Sequence, residues 1–190
     1  MALKPSDSPL NIVIFGIGAM GTLFASRLET VASVTLFGQW SEQIETIRHQ
    51  GLTVTHLDGR RSHHNRFKMT NTINELPFPS VIIVLAKSYQ TERVAHQIAH
   101  YLDLQSSNDE SQAHHLADPF VITLQNGLGN AEYLAQVIDE RQIVSGTTAQ
   151  GATLTAPGQL RHAGEGLTAL ATQPDNKNSV EEIANLFNLA

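Results

Sequence analysis

Short apolar runs alternate with longer stretches in which apolar residues recur every three or four positions, so the chain reads as strand and helix in turn. Asn11-Ile12-Val13-Ile14-Phe15 is β-branched and continuously apolar, the pattern of a strand buried on both faces of a parallel sheet. Met20, Leu23, Phe24, Arg27 and Leu28 then form one largely apolar helical stripe. Ser33–Phe37 predicts a second strand, and Ser41 is placed to cap a helix running through His49 and ending near Gly51. Leu52–His56 alternates, and Asp58-Gly59 predicts a hairpin turn before a polar return through Phe67. Val81–Leu85 resumes the buried-strand pattern, followed by a helix presenting Val94, Ile98, Tyr101 and Leu102 on one face. The polar stretch Gln105–Asp118 predicts a surface loop. Phe120–Leu124 predicts a strand, Ala131–Ile138 a helix, Ile143–Thr147 a strand, and Pro157-Gly158 a hairpin turn. Ser179 and Glu182 have the spacing of a capping box ahead of Ile183, Leu186 and Phe187. The last helix therefore predicts an apolar face left for association or for a further element. The alternation implies an α/β, Rossmann-type doubly wound, mostly parallel sheet with helices on both faces, residues 1–190 forming one domain.

Chemistry enters where the first strand ends. Gly16-Ile17-Gly18-Ala19-Met20-Gly21 matches G-x-G-x-x-G between a predicted strand and a predicted helix. The first glycine permits the tight turn, the second lets backbone approach a diphosphate, and the third lets helix pack on strand. The diphosphate would lie at the helix start, where unpaired N–H groups and the dipole attract anions. A ligand-free βα turn and a methyltransferase glycine loop are the plainer rivals. At the end of the second strand, where an acid would hold the ribose 2′-hydroxyl of NAD, the chain has Gly38-Gln39-Trp40-Ser41. A 2′-phosphate would not be repelled there, so NADP is the expected cofactor, with Gln39 and Ser41 as neutral donors. Trp40 either packs on the adenine or covers the sheet edge.

Composition narrows the class. The chain has 190 residues, 41% of them hydrophobic, with 12 Lys+Arg against 18 Asp+Glu for a formal charge of −6 and no basic stripe, so a nucleic-acid surface is not expected. Cysteine is absent, which removes disulfides and thiolate chemistry. The opening residues 1–9 are polar and proline-broken and do not resemble a secretory signal, and no apolar run reaches the roughly 20 residues of a membrane span. A soluble, cytoplasmic globule is expected, with homo-oligomerisation left open. No metal site is expected: His96 and His100 have i, i+4 spacing but lie opposite the apolar stripe, while His63-His64 and His114-His115 fall in predicted polar loops. His162 follows the Pro157-Gly158 turn, within reach of a cleft at that end, and carries no assigned role.

Four stretches in this order resemble the N-terminal domain of the ketopantoate reductase (2-dehydropantoate 2-reductase) family across nearly the whole chain. They are Gly16–Gly21; Leu85-Ala86-Lys87-Ser88-Tyr89-Gln90-Thr91; Gln125-Asn126-Gly127-Leu128-Gly129-Asn130; and Gly146-Thr147-Thr148 running to Gly151-Ala152 and Pro157-Gly158. The resemblance implies NADPH-dependent reduction of a 2-oxo acid, 2-dehydropantoate to pantoate, in pantothenate biosynthesis. It implies cofactor contacts from Gly16, Ile17, Gly18, Ala19, Met20, Gly21, Gln39, Lys87, Asn126 and Gly151, with Lys87 at the nicotinamide end and Asn126 touching both nicotinamide ribose and substrate oxygen. Plainer readings are a solvated lysine and an Asn-Gly turn using positive φ. The family's proton-donating lysine and substrate-holding glutamate belong to a helical C-terminal domain, so the resemblance implies no catalytic residue within these 190 residues, and binding with little turnover. The arginine that many members carry near Gln39 is missing. A cofactor-sensing module without catalysis and a dehydrogenase of another 2-oxo acid are the competing readings.

Overall fold

The computed structural model describes residues 10–108 and 118–190. Strands β1 (Asn11–Phe15), β2 (Ser33–Phe37), β5 (Lys68–Thr70), β6 (Val81–Val84), β7 (Phe120–Thr123), β8 (Ile143–Thr148) and β11 (Thr168–Leu170) form a seven-stranded sheet in the order β11-β8-β7-β6-β1-β2-β5. All neighbours are parallel except β11 against β8. This is the doubly wound sheet expected from the alternation. Side-chain alternation along β1 supplies two cores: Ile12 and Ile14 enter one, Val13 and Phe15 the other.

The first core lies under α1 (Ala19–Leu28), α2 (Ser41–Gln50) and α5 (Lys177–Leu189), the second under α3 (Thr91–Asn108) and α4 (Asn130–Ala135). In the second, Tyr101 is fully buried against Phe15, ring centroids 6.3 Å apart. Its hydroxyl donates to Pro77 O, and burial pushes the phenol pKa up. Both faces are thus sealed, leaving the sheet's carboxyl edge open.

The predicted Asp58-Gly59 and Pro157-Gly158 hairpins both form, but they join each other. Strands β3 (Leu52–Thr55), β4 (Arg61–His64), β9 (Gly151–Ala156) and β10 (Gln159–Gly164) make a second, four-stranded sheet ordered β4-β3-β10-β9. The β3–β10 pairing is parallel and brings together residues about a hundred positions apart, such as Leu160 and Val54.

Several local expectations are corrected. Ser41 is the first helical residue of α2, behind Trp40, and makes no side-chain cap. The helix α3 runs on through Asn108, into the stretch expected to be loop, with Gln105 Nε2 donating to Leu76 O at 3.4 Å. Residues 109–117, including His114 and His115, lie outside the described residues, as do residues 1–9. His63 and His64 are not in a loop but in β4. Ser179 is not a cap: α5 starts at Lys177, and Ser179 is buried in its first turn. The apolar face of α5 is covered, with Val180 and Ile183 buried and Phe187 meeting Phe24 edge-on at 6.0 Å. Strands β5 and β11 had no periodic signal, being three residues each. Among the described residues no helix is long and apolar enough to cross a membrane.

Candidate functional site

The chain builds β1, β2 and β5 outward on one side, then crosses back to lay down β6, β7 and β8 on the other. Where such an order reverses, the loops leaving the strands part and open a crevice beyond their carboxyl ends. Here those loops follow β1 and β6, and they touch: a Cβ on Gly16, whose φ is +130°, would fall 2.7 Å from Ala86 N. A cleft of about 550 Å³ opens there, within the roughly 300–1,000 Å³ range of small-molecule sites.

The three turn glycines have different reasons to be glycine. Gly16 needs its left-handed φ and the close approach to Ala86, and a Cβ on Gly21 would lie 1.8 Å from Gly16 O. Both are dictated by the fold. Gly18 is different: its φ of −78° and ψ of −168° suit any residue, and a Cβ there would meet no atom within 4 Å. It faces the cleft, and no side chain caps the α1 start it precedes. The first N–H groups of α1 therefore point into the cleft without intrahelical acceptors.

Gly16, Ile17, Gly18, Ala19 and Met20 form one wall with Gln39 and Trp40 from the β2 end, Lys87 after β6 and Asn126 after β7. Gly21 lies beneath that wall. Gly151 stands outside it: its Cβ position is occupied by Gly164 at 3.1 Å, so close β9–β10 packing accounts for this glycine, and Gln150 and Ala152 line the cleft instead. Gln39 Nε2 donates to Asn71 O at 3.3 Å. Asn126 has no positive φ, which Gly127 (+98°) and Gly129 (+85°) adopt instead. The Asn-Gly turn therefore makes no backbone demand on Asn126, and its exposed amide is free for other work.

A buried polar network fixes the two loops that carry Lys87 and Asn126. Gln125 Nε2 donates to Ala86 O (3.0 Å) and to Thr91 Oγ1 (2.9 Å). The Thr91 hydroxyl lies 2.7 Å from Ser88 O and 2.9 Å from Asn130 Oδ1. Asn130 Nδ2 donates to Asn126 O (3.3 Å) and Gly127 O (3.2 Å). Thr91, Gln125 and Asn130 are all buried, and such satisfied networks hold loops in single arrangements. Lys87 itself is exposed at the mouth.

His162 does not enter the cleft. It is buried on β10 with Nε2 3.1 Å from Gln150 Oε1 and 3.3 Å from Arg27 Nη2, and so anchors Gln150 from behind. His96 and His100 are exposed, as the helical phase predicts, yet they face Gln39 and Asn71 across a shallow extension of the cleft. Gln90, Arg93 and Gln97 also line the main cleft and were not singled out from the sequence. Gln90 closes the short turn ahead of α3, and Arg93 and Gln97 lie in the first turns of α3, where helical spacing alone does not separate a cleft wall from a solvated face. Among the cleft-lining residues Lys87 and Arg93 are cationic and none is acidic, a balance that favours a polyanionic ligand. A second hollow of about 570 Å³ between α2 and β5 lacks this bias, since its Arg48 already sits 3.9 Å from Glu75 and 3.4 Å from Glu45. Among the described residues no group of three or more His, Asp or Glu side chains could hold a metal.

Known proteins resemble this chain in sequence and fold. The family model for ketopantoate reductase PanE/ApbA matches residues 12–175. The 2-dehydropantoate 2-reductase of Halobacterium salinarum is 33% identical over 164 residues, 85% of this chain and 48% of the relative. That of Pyrococcus horikoshii is 32% identical over 183 residues, 95% of this chain and 54% of its own. Among solved structures, one assigned as a 2-dehydropantoate 2-reductase from Enterococcus faecalis superposes with a TM-score of 0.76 at 26% identity, over 95% of this chain and 54% of that one. A D-mandelate dehydrogenase solved with NADH and anilino(oxo)acetate shares the fold, with a TM-score of 0.78 at 23% identity over 95% of this chain and 54% of its own. The chain spans about half the length of the curated relatives it matches.

Proposed function

The chain belongs to the ketopantoate reductase PanE/ApbA family of oxidoreductases, and from that membership we propose that it is the NADP-binding domain of a 2-dehydropantoate 2-reductase, residues 1–190 acting as one unit in pantothenate biosynthesis in the cytoplasm. The observation that carries the cofactor reading is Gly18. Nothing in the fold requires glycine there, since a Cβ would meet open space, whereas a diphosphate seated on the α1 start would occupy that space.

When bound, the cofactor supplies the hydride that reduces the carbonyl carbon of a 2-oxo acid. The turn from Gly16 to Met20 and the α1 amides would hold the diphosphate, and Gln39 and Trp40 the adenosine end. Lys87 would place its ammonium at the nicotinamide end, where it also attracts the substrate carboxylate. Asn126, able to donate and accept at once, would hydrogen-bond the nicotinamide ribose and the substrate oxygen. The alkoxide formed needs a proton, and a positioned donor contributes typically 10²- to 10⁴-fold. In this reading the donor comes from a second, helical domain, so these 190 residues bind cofactor with little turnover.

Titration with NADPH and NADH, comparing wild type with Gly18→Val, tests the reading. Gly18→Val is expected to keep its circular-dichroism melt and lose both cofactors. Absence of binding by wild type, or equal binding by both proteins, refutes it. A panel of 2-oxo acids on the chain joined to a relative's C-terminal half then separates 2-dehydropantoate from other substrates.

A further inference from the structure

Selection between NAD and NADP is usually made at the end of the second strand, by an acid on the ribose hydroxyl or an arginine near the 2′-phosphate. In this chain that stretch, Gly38, Gln39 and Trp40, is uncharged, and the Gln39 amide already donates to Asn71 O. The facing wall is α3, which contributes Arg93 and Gln97 to the same cleft. Gln97 and Gln39 also line the shallow extension together with His100. Arg93, Gln97 and His100 follow i, i+4, i+7 spacing and share one face of α3, so the edge that carries Arg93 looks across at the β2 end.

Arg93 is exposed, and among the described residues it has no carboxylate partner, unlike Arg48, Arg60 and Arg141. Among the described residues no acidic side chain lines the cleft to compete for it. A guanidinium offers a planar fork that matches phosphate bidentately. We propose that Arg93, reaching from α3, binds the adenosine 2′-phosphate and is the residue that makes this domain prefer NADP. Gln97, one turn on, adds a neutral donor to the same group. This rests on the cofactor reading above and transfers the selective charge from the β2 end to α3.

The test titrates the 190-residue chain with NADPH and NADH at low salt. Quenching of Trp40, its single tryptophan and part of the cleft wall, gives the readout, with calorimetry as an independent one. Arg93→Ala is expected to weaken NADPH roughly tenfold, within the range of a charge-assisted hydrogen bond, and to leave NADH within about twofold. Arg93→Lys is expected to recover part of the NADPH affinity. Melting temperature should not move, since Arg93 is exposed and has no ion-pair partner among the described residues. An equal loss of both cofactors, as adenine stacking would give, overturns the proposal, as does no loss of either. Those results leave the cofactor reading intact provided Gly18→Val still abolishes binding. A wild-type chain that binds neither cofactor overturns both.

Discussion

At the scale of single residues, the same residue type answers to different forces at neighbouring positions. A methyl group on Gly21 would collide with backbone at 1.8 Å, and backbone cannot step aside as a flexible side chain can. Gly21→Ala is therefore expected to cost about 3 kcal/mol, seen as a lowered urea midpoint, whereas Gly18→Val loses ligand and keeps stability. Thr91 is the hinge of the network under Lys87 and Asn126. Thr91→Val keeps shape but strips the acceptor from Gln125 Nε2 and the hydroxyl beside Asn130 Oδ1, at a cost of about 1–3 kcal/mol. NADPH affinity should fall with it, because both cleft loops lose their tie. Titration offers a residue-scale test elsewhere. Burial, reinforced by the Arg60 guanidinium and opposed by Asp58, holds the His56 imidazole below its ordinary 6.5. A lowered folded value means that the unfolded chain binds more protons in the window just under 6.5. Stability should thus decline as pH falls through that window, and His56→Gln should flatten this part of the urea-midpoint profile. The glycine turn, Lys87 and Asn126 were legible because each sits at a strand end. Thr91 and Arg93 were not, since a helix start looks the same whether it faces a cleft or water.

Elements were legible where burial on both faces imposed a long apolar run, as in β1 and β6. They were lost where pairing partners, not periodicity, decide the structure. Lys68–Thr70 becomes strand β5 because the edge of β2 accepts it, with Leu36 opposite Met69. His63 and His64 become strand because β3 accepts them as partners, Thr53 opposite His63 and Leu52 opposite His64, and Glu29, at the C-cap of α1, reaches across to hold the His64 end. Its buried carboxylate accepts from His64 Nδ1 (2.8 Å), Arg66 N (2.8 Å) and Phe67 N (3.2 Å). No sequence pattern links a glutamate to amides nearly forty residues away. Glu29→Ala would strip the acceptor from the part-buried Phe67 amide and from the His64 imidazole, and from the exposed Arg66 amide, a loss of about 1–2 kcal/mol. Hydrogen exchange is the decisive readout: amides of β3 and β4 should exchange faster, while those of β1 and β6 keep their protection. Uniform acceleration across both sheets would instead mean that the hairpin and the main sheet open together. The capping-box expectation at Ser179 failed for a related reason, since packing of Val180 and Ile183 into the core draws the helix start back to Lys177.

For the molecule as a whole, topology explains why one edge is chemically active. Two helix layers and a second sheet cover both faces, so the cleft that carries Lys87 and Asn126 opens where the strands end. That edge also carries exposed apolar side chains: Tyr89 after β6, Leu128 after β7 and Leu167 before β11 are each more than four-fifths accessible. Under the proposed function, these side chains meet the second, helical domain that the family resemblance implies, which would close over the cleft and bring the proton donor. The corresponding half of the Pyrococcus horikoshii enzyme, added in trans or fused, should then raise NADPH oxidation with 2-dehydropantoate by at least 10²-fold over the chain alone. Leu128→Glu should prevent that gain, because a charge would have to be buried at the junction, while leaving NADPH affinity within about twofold. Lys87→Ala should prevent it differently, with the halves still associating by gel filtration but turnover lost. If Leu128→Glu complements as well as wild type, the rim is not the docking edge, and the donor must reach the cleft from another side.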